Sequence, residues 1–152
     1  MDTNNITLSV VMPAYNEEQH IKDNLLETSR ILSRFLHHYE IIAVNDGSKD
    51  STGKLIAEAA EMDSHIVDTG YDVNQGKGHA ITTGIAKASG KYIAFLDSDL
   101  ELSPSLLKPF MKQMRDTGSD IVIGSKLHPE SKLDYPPVSY THLRAHETPE
   151  HL

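Results

Sequence analysis

Short β-prone apolar runs alternate with stretches of helical apolar spacing along this chain, and that alternation limits the folds open to it. Leu8 to Met12 is the first run, ended by Pro13, which lacks an amide hydrogen. Asn16 is placed to cap a helix, with Glu17 and Glu18 in its first turn. Ile21, Leu25, Thr28, Leu32 and Phe35 follow at helical spacing, and the helix is expected to end near His37 and His38. Glu40 to Val44 is the second strand. Gly47 suits a tight turn, and Asp50 or Ser51 caps a helix running to about Met62. Ile66 to Asp68 is a short third strand. A polar, glycine-rich loop from Gly70 leads into a small-residue helix, Lys77 to Ala88, whose size allows close packing on a sheet. Tyr92 to Leu96 is the fourth strand. Ser103-Pro104 opens a further helix, Gly118 follows it, and Asp120 to Ile123 is the last clear strand.

Strands that are apolar on both faces belong in a sheet covered on both sides. The expected fold is therefore α/β, doubly wound, with a largely parallel sheet. Ligands bind such sheets outside the carboxyl ends of the strands. The polar clusters beginning at Pro13, Asn45 and Asp97 each follow a strand directly, so they are expected to converge on one rim.

The last of these clusters holds Asp97, Asp99 and Glu101, spaced by two. In an extended segment such residues share a face, and Asp97 and Asp99 would stand roughly 7 Å apart. Their repulsion at that distance is roughly 2 kcal/mol at an effective dielectric near 20. Two readings fit: a divalent cation offsets the repulsion, or the three are solvated acids beyond a strand end.

At 152 residues the chain is long enough for one domain with a real core. A net charge of −8 argues against a general nucleic-acid binder. The absence of cysteine excludes disulfides and thiolate metal sites. No signal peptide is visible, and no segment approaches the roughly 18 apolar residues of a membrane span. A dinucleotide-binding fingerprint fails, because Pro13-Ala14-Tyr15-Asn16-Glu17 follows the first strand. A Walker loop fails, because Tyr71 stands where its first glycine belongs. An aspartate-nucleophile phosphatase would carry its paired aspartates after the first strand; here they follow the fourth. The stretch from Ser139 resembles translated sequencing adapter. The expected division is a domain over 1–138 and a non-native or disordered tail over 139–152, and His142 and His146 are given no metal role.

The motifs Val11-Met12-Pro13-Ala14-Tyr15-Asn16-Glu17-Glu18, Val44-Asn45-Asp46-Gly47-Ser48, Asn74-Gln75-Gly76-Lys77-Gly78 and Leu96-Asp97-Ser98-Asp99 occur in that order. Together they resemble the family 2 glycosyltransferases, which have the GT-A fold, over about Leu8 to Lys126. Gly76-Lys77-Gly78-His79-Ala80, Asp99-Leu100-Glu101 and Ile123-Gly124-Ser125-Lys126 narrow the resemblance to the polyprenyl-phosphate (dolichyl-phosphate) mannosyl- and glucosyltransferases. This chain departs from the common pattern at Asn45, Glu101 and Lys126, where relatives often carry Asp, Gln and Arg.

The resemblance implies residue roles. Pro13, Ala14, Tyr15 and Glu17 would line the base and ribose pocket, Asn45 and Asp46 would face the nucleoside, and Ser98 would lie against the donor. Asp97 and Asp99 would be the catalytic acids. Asp99 would bind the metal directly, Asp97 would sit near ribose or metal, and Glu101 would complete the shell around Mg²⁺ or Mn²⁺. Lys77 would lie near the donor, or be a solvated surface lysine. Lys126 would meet an acceptor phosphate. The implied reaction is inverting transfer of a hexose from a nucleotide diphosphate sugar, GDP-mannose or UDP-glucose, to a polyprenyl-phosphate lipid. A saccharide hydroxyl acceptor and donor binding without turnover are the alternatives. The implied location is cytoplasmic, peripheral to the membrane face.

Overall fold

A computed structural model describes residues 6–118. Its elements are β1 (Leu8–Ala14), α1 (Ile21–Leu32), β2 (Tyr39–Asp46), α2 (Thr52–Met62), β3 (Ile66–Tyr71), α3 (Lys77–Lys87), β4 (Tyr92–Phe95), a single 3-10 turn (Pro104–Leu106) and α4 (Leu107–Thr117). The chain divides into two compact units between Lys108 and Pro109. The sheet and α1 to α3 belong to the first. In the second, the end of α4 carries an i,i+4 ion pair, Lys112 to Asp116, and Gly118 donates to the Met114 carbonyl as the helix closes.

The four strands are parallel, in the order β3-β2-β1-β4. Register follows the apolar runs: Val10 faces Ile41 and Val11 faces Ile42 across β1 and β2, while Val11 also faces Phe95 on β4. Period-2 alternation divides the central strands between two layers. Val11, Ile42 and Val44 pack with Ala80 of α3 in one buried cluster. Val10, Met12, Ile41 and Ala43 point the other way and are also fully buried, as are Ile21, Leu25 and Leu32 of α1 and Ile56 of α2. Each buried Val, Ile or Leu contributes about 1.5–3 kcal/mol. The covered parallel sheet expected from the sequence is thus present at β1 and β2. On β4, Ile93 and Phe95 remain exposed.

Small residues on α3 do bring it close to the sheet. A Cβ on Gly84 would stand 2.3 Å from Val11 Cγ1. At the amino ends of β2 and β3, Tyr39 stacks on His65 with ring centroids 4.1 Å apart. Asp63 accepts from Ser29 Oγ, and its other oxygen accepts from the His65 amide at 2.9 Å. Burial pushes the Asp63 pKa up, but these hydrogen bonds and the His65 ring outweigh it and hold the carboxyl below its usual range.

Several boundaries differ from those expected. Helix α1 starts at Ile21 rather than behind Asn16, because residues 16–18 give their amides to the loop after β2. It ends at Leu32, and residues 33–36 form turns bonded back to its last carbonyls, including Leu36 N–H to Leu32 O at 2.9 Å. Strand β3 continues to Tyr71, since Gly70 and Tyr71 keep pairing with Asn45 and Asp46. The expected strand from Asp120 to Ile123, the division at 138, and Lys126 lie outside the described residues.

Candidate active site

The strand order reverses at β1: β2 and β3 are laid down on one side of it, β4 on the other. A crevice opens beyond the carboxyl ends of the strands at such a switch point. The residues that follow β1, β2 and β4 are the three polar clusters picked out in the sequence, and the strand order brings them to one rim.

The loops after β1 and β2 are laced together by bonds from the backbone amides of each to side-chain oxygens of the other. Asn16 adopts a left-handed φ of +52°, a conformation Asn tolerates better than most residues. Its amide donates to Ser48 Oγ at 2.9 Å, and its side-chain oxygen accepts from the Lys49 amide at 2.9 Å. The Glu17 amide donates to Thr52 Oγ1 at 2.8 Å and the Glu18 amide to Asp50 Oδ2 at 3.3 Å. Asp50 also accepts from the Thr52 amide and hydroxyl. Burial pushes the Asp50 pKa up, but these donors prevail and keep its carboxyl below the usual range. Within this frame Tyr15 is 43% exposed, so its ring is open to stack on a planar ligand.

Asp46, the last residue of β2, is buried, yet its carboxylate is well partnered. Oδ1 accepts from Tyr71 OH at 2.7 Å and from the Gln75 amide at 2.9 Å, and Oδ2 accepts from Asn74 Nδ2 at 3.0 Å. A carboxylate has about four acceptor positions, so one on Oδ2 is left over for a ligand. Desolvation and the neighbouring Asp46 charge push the Tyr71 pKa well up, which keeps the phenol protonated and donating. Gly47 makes this close approach feasible. Its φ is +65°, and a Cβ there would lie 2.1 Å from the Asn74 amide nitrogen. Asn45 accepts from the Ser48 amide at 3.0 Å, which shapes the turn itself.

Pinned this way, the 71–76 loop delivers Lys77, the first residue of α3, to the acidic cluster. Lys77 Nζ is 2.5 Å from Asp97 Oδ1, with both side chains partly exposed. The cluster is not the extended ribbon expected. The ladder between β1 and β4 ends with Leu96 N–H bonded to Val11 O at 3.0 Å. The chain then turns: the Leu100 amide donates to Asp97 O at 3.1 Å, and Leu100 takes a left-handed φ of +55°. The Glu101 amide donates to Asp99 Oδ1 at 3.0 Å. Ser98 is buried between the exposed Asp97 and Asp99, and its carbonyl accepts from Asn24 Nδ2 of α1 at 2.8 Å.

Among the described residues no three His, Asp or Glu side chains are assembled as a metal-binding set. Two exposed carboxylates in one turn nonetheless suit Mg²⁺ or Mn²⁺, since such ions take hard oxygen ligands and are often held by one or two carboxylates plus substrate phosphates. Sequence reading missed Asn24, Tyr71 and Asn74. Asn74 opens one of the quoted motifs but was given no role of its own, and Asn24 showed only as a polar residue on the inward edge of an apolar helix face.

The family model described as Glycosyl transferase family 2 matches residues 9–149. The chain belongs to glycosyl transferase family 2. It is 34% identical over 116 residues to the undecaprenyl-phosphate 4-deoxy-4-formamido-L-arabinose transferase of Klebsiella pneumoniae strain 342, a match covering 76% of this chain and 35% of that protein. The family 2 chain thus spans about a third of the length of the curated relatives it matches. Among solved structures it superposes on TarS of S. aureus with a TM-score of 0.64 at 23% identity, over 86% of this chain and 38% of that one. This confirms the GT-A fold. A glucosyl-3-phosphoglycerate synthase from Mycobacterium tuberculosis, in complex with Mn²⁺, uridine diphosphate and glucosyl-3-phosphoglycerate, matches at a TM-score of 0.51 and 26% identity, over 72% of this chain and 39% of that one. Among the described residues, no helix is long and apolar enough to cross a membrane.

Proposed function

We propose that this family 2 chain binds a nucleotide diphosphate sugar with a divalent cation, as the donor half of an inverting transfer to a polyprenyl-phosphate lipid. The observation that carries the reading is the Asp97–Asp99 turn at the strand-order reversal, with Lys77 against it and the Tyr15 and Asp46 loops beside it. In this reading Pro13, Ala14, Tyr15 and Glu17 line the nucleoside pocket, and Asp46 offers its remaining acceptor position to the base or ribose. Asn45 and Ser98 shape the walls. Asp99 and Asp97 supply the carboxylate oxygens for Mg²⁺ or Mn²⁺, with Glu101 as a third ligand that donor binding would have to draw in. A bound cation supplies charge stabilisation to the departing diphosphate. Lys77 adds a positive charge at the same place. A lipid phosphate is already an anionic nucleophile, so no strong general base is required of this chain. Lys126 is assigned to that acceptor phosphate.

Two relatives support this reading. The Klebsiella protein's name specifies an undecaprenyl-phosphate acceptor, and the mycobacterial enzyme was crystallised with Mn²⁺ and a nucleoside diphosphate. The sugar expected from the sequence is a hexose. The Klebsiella name, an L-arabinose derivative, adds a pentose to the donors worth testing. The test is calorimetry with GDP-mannose, UDP-glucose and a UDP-linked pentose, with and without Mn²⁺, followed by transfer to undecaprenyl phosphate. Mn²⁺-dependent binding of one donor and product formation support the proposal. Binding that ignores Mn²⁺, or binding of none of the donors, refutes it. A second reading is donor binding without transfer; binding without turnover would select it.

A further inference from the structure

Asn24 is the fourth residue of α1 and lies 74 positions before the carbonyl it bonds, that of Ser98. Asparagine is a poor interior helix residue, because its amide competes for backbone partners. Here the amide is turned off its own helix and onto the acidic turn. The helix around it is otherwise regular. The Asn24 amide donates to His20 O at 2.8 Å, and the Asn24 carbonyl accepts from Thr28 Oγ1 at 2.7 Å. The neighbours Ile21, Leu25 and Thr28 are fully buried, so α1 is a fixed platform. The turn it reaches begins where the β1–β4 ladder stops at Leu96, and it includes the left-handed Leu100. Lys77 holds the turn by a side chain, that of Asp97. Asn24 holds it by the backbone, at the peptide between Ser98 and Asp99.

We infer that Asn24 is a positioning residue: its bond to the Ser98 carbonyl fixes the backbone of the Asp97–Asp99 turn and thereby sets the affinity of the two carboxylates for a divalent cation. The cation part rests on the function proposed above. Asn24→Ala removes the donor. Asn24→Asp keeps the size but replaces the donor with an acceptor that repels both the carbonyl and the acids. Asn24→Gln keeps an amide on a longer arm.

The experiment compares the wild-type chain with these three variants by hydrogen exchange at the Leu100 and Glu101 amides, by Mn²⁺ titration followed by EPR, and by thermal melting. In Asn24→Ala, exchange at both amides is expected to rise about threefold to tenfold and Mn²⁺ affinity to fall by a similar factor, as fits the loss of one hydrogen bond. The melting midpoint is expected to fall by no more than about 6 °C, and Asn24→Gln to recover part of both effects. Unchanged exchange in Asn24→Ala and Asn24→Asp overturns the inference. Faster exchange with unchanged Mn²⁺ affinity overturns the functional role. If the wild-type chain itself binds no Mn²⁺, the metal assignment fails, while faster exchange in the variants still supports Asn24's hold on the turn. If Asn24→Ala does not fold, the isosteric Asn24→Asp carries the exchange comparison and Asn24→Gln the Mn²⁺ comparison.

Discussion

Lys77 Nζ stands 2.5 Å from Asp97 Oδ1, joining the first residue of α3 to the residue just beyond the β4 ladder. In the proposed function this lysine competes with a cation for the Asp97 carboxylate. The same lysine would favour a bound diphosphate. Lys77→Ala is therefore expected to have opposite effects on two ligands. Mn²⁺ alone should bind about twofold to fivefold more tightly, the scale of a partly exposed ion pair. A nucleotide diphosphate sugar in saturating Mn²⁺ should bind more weakly. EPR titration and calorimetry read the two arms separately, and a change of the same sign in both would contradict the placement.

Asp99→Asn removes a carboxylate that the proposed function assigns to the metal. Mn²⁺-dependent donor binding should be lost, with the melting midpoint unchanged within about 2 °C, because the side chain is exposed. Calorimetry that shows unaltered binding would remove Asp99 from the metal site.

Tyr71→Phe deletes one of three donors to the buried Asp46 carboxylate. A hydrogen bond to a charged group contributes about 1.5–3 kcal/mol, so urea denaturation should register a loss on that scale. Donor binding should weaken as well, since the 71–76 loop sets where Lys77 starts.

Gly84→Ala sets two effects against each other. Alanine gains about 1 kcal/mol over glycine in a helix interior. Its Cβ would meet Val11 Cγ1 at 2.3 Å, and overpacking of a core costs about 1–3 kcal/mol. Net destabilisation is expected, with Gly84→Val worse. A stabilised Gly84→Ala would mean that α3 shifts freely on the sheet.

The Asp63 carboxyl titrates below its usual range when folded, so its contribution to stability is complete above the unfolded value near pH 4. It is lost as pH falls through the lower, folded value. The melting temperature of the wild-type chain should therefore drop more steeply than that of Asp63→Asn between pH 5 and pH 3. Parallel curves would show that Ser29 and His65 do not hold the charged form.

The fold was legible where burial and strand geometry agree. Val10, Val11, Ile41 and Ile42 announce covered strands, and Gly84 announces close packing. The site was legible as a set of positions, because each polar cluster follows a strand. Its internal geometry was not. Glu17 and Glu18 read as helix-start acids, yet their amides bond Thr52 and Asp50, partners more than thirty residues away. Asp97 and Asp99 read as an extended pair, yet Leu100 turns left-handed and folds them over. Period-2 spacing has meaning only while a neighbouring strand enforces it, and that ladder ends at Leu96.

The lacing of residues 16–18 onto residues 48–52 has a consequence for engineering and for natural variation. Each loop supplies the other's backbone partners, so neither is a free-standing module. An insertion in one leaves amides or acceptors stranded in the other. Loop lengths at these two places should change together between homologues. Any attempt to recast the pocket by grafting should transplant both segments as a single unit, with Asn16, Ser48, Asp50 and Thr52 travelling together.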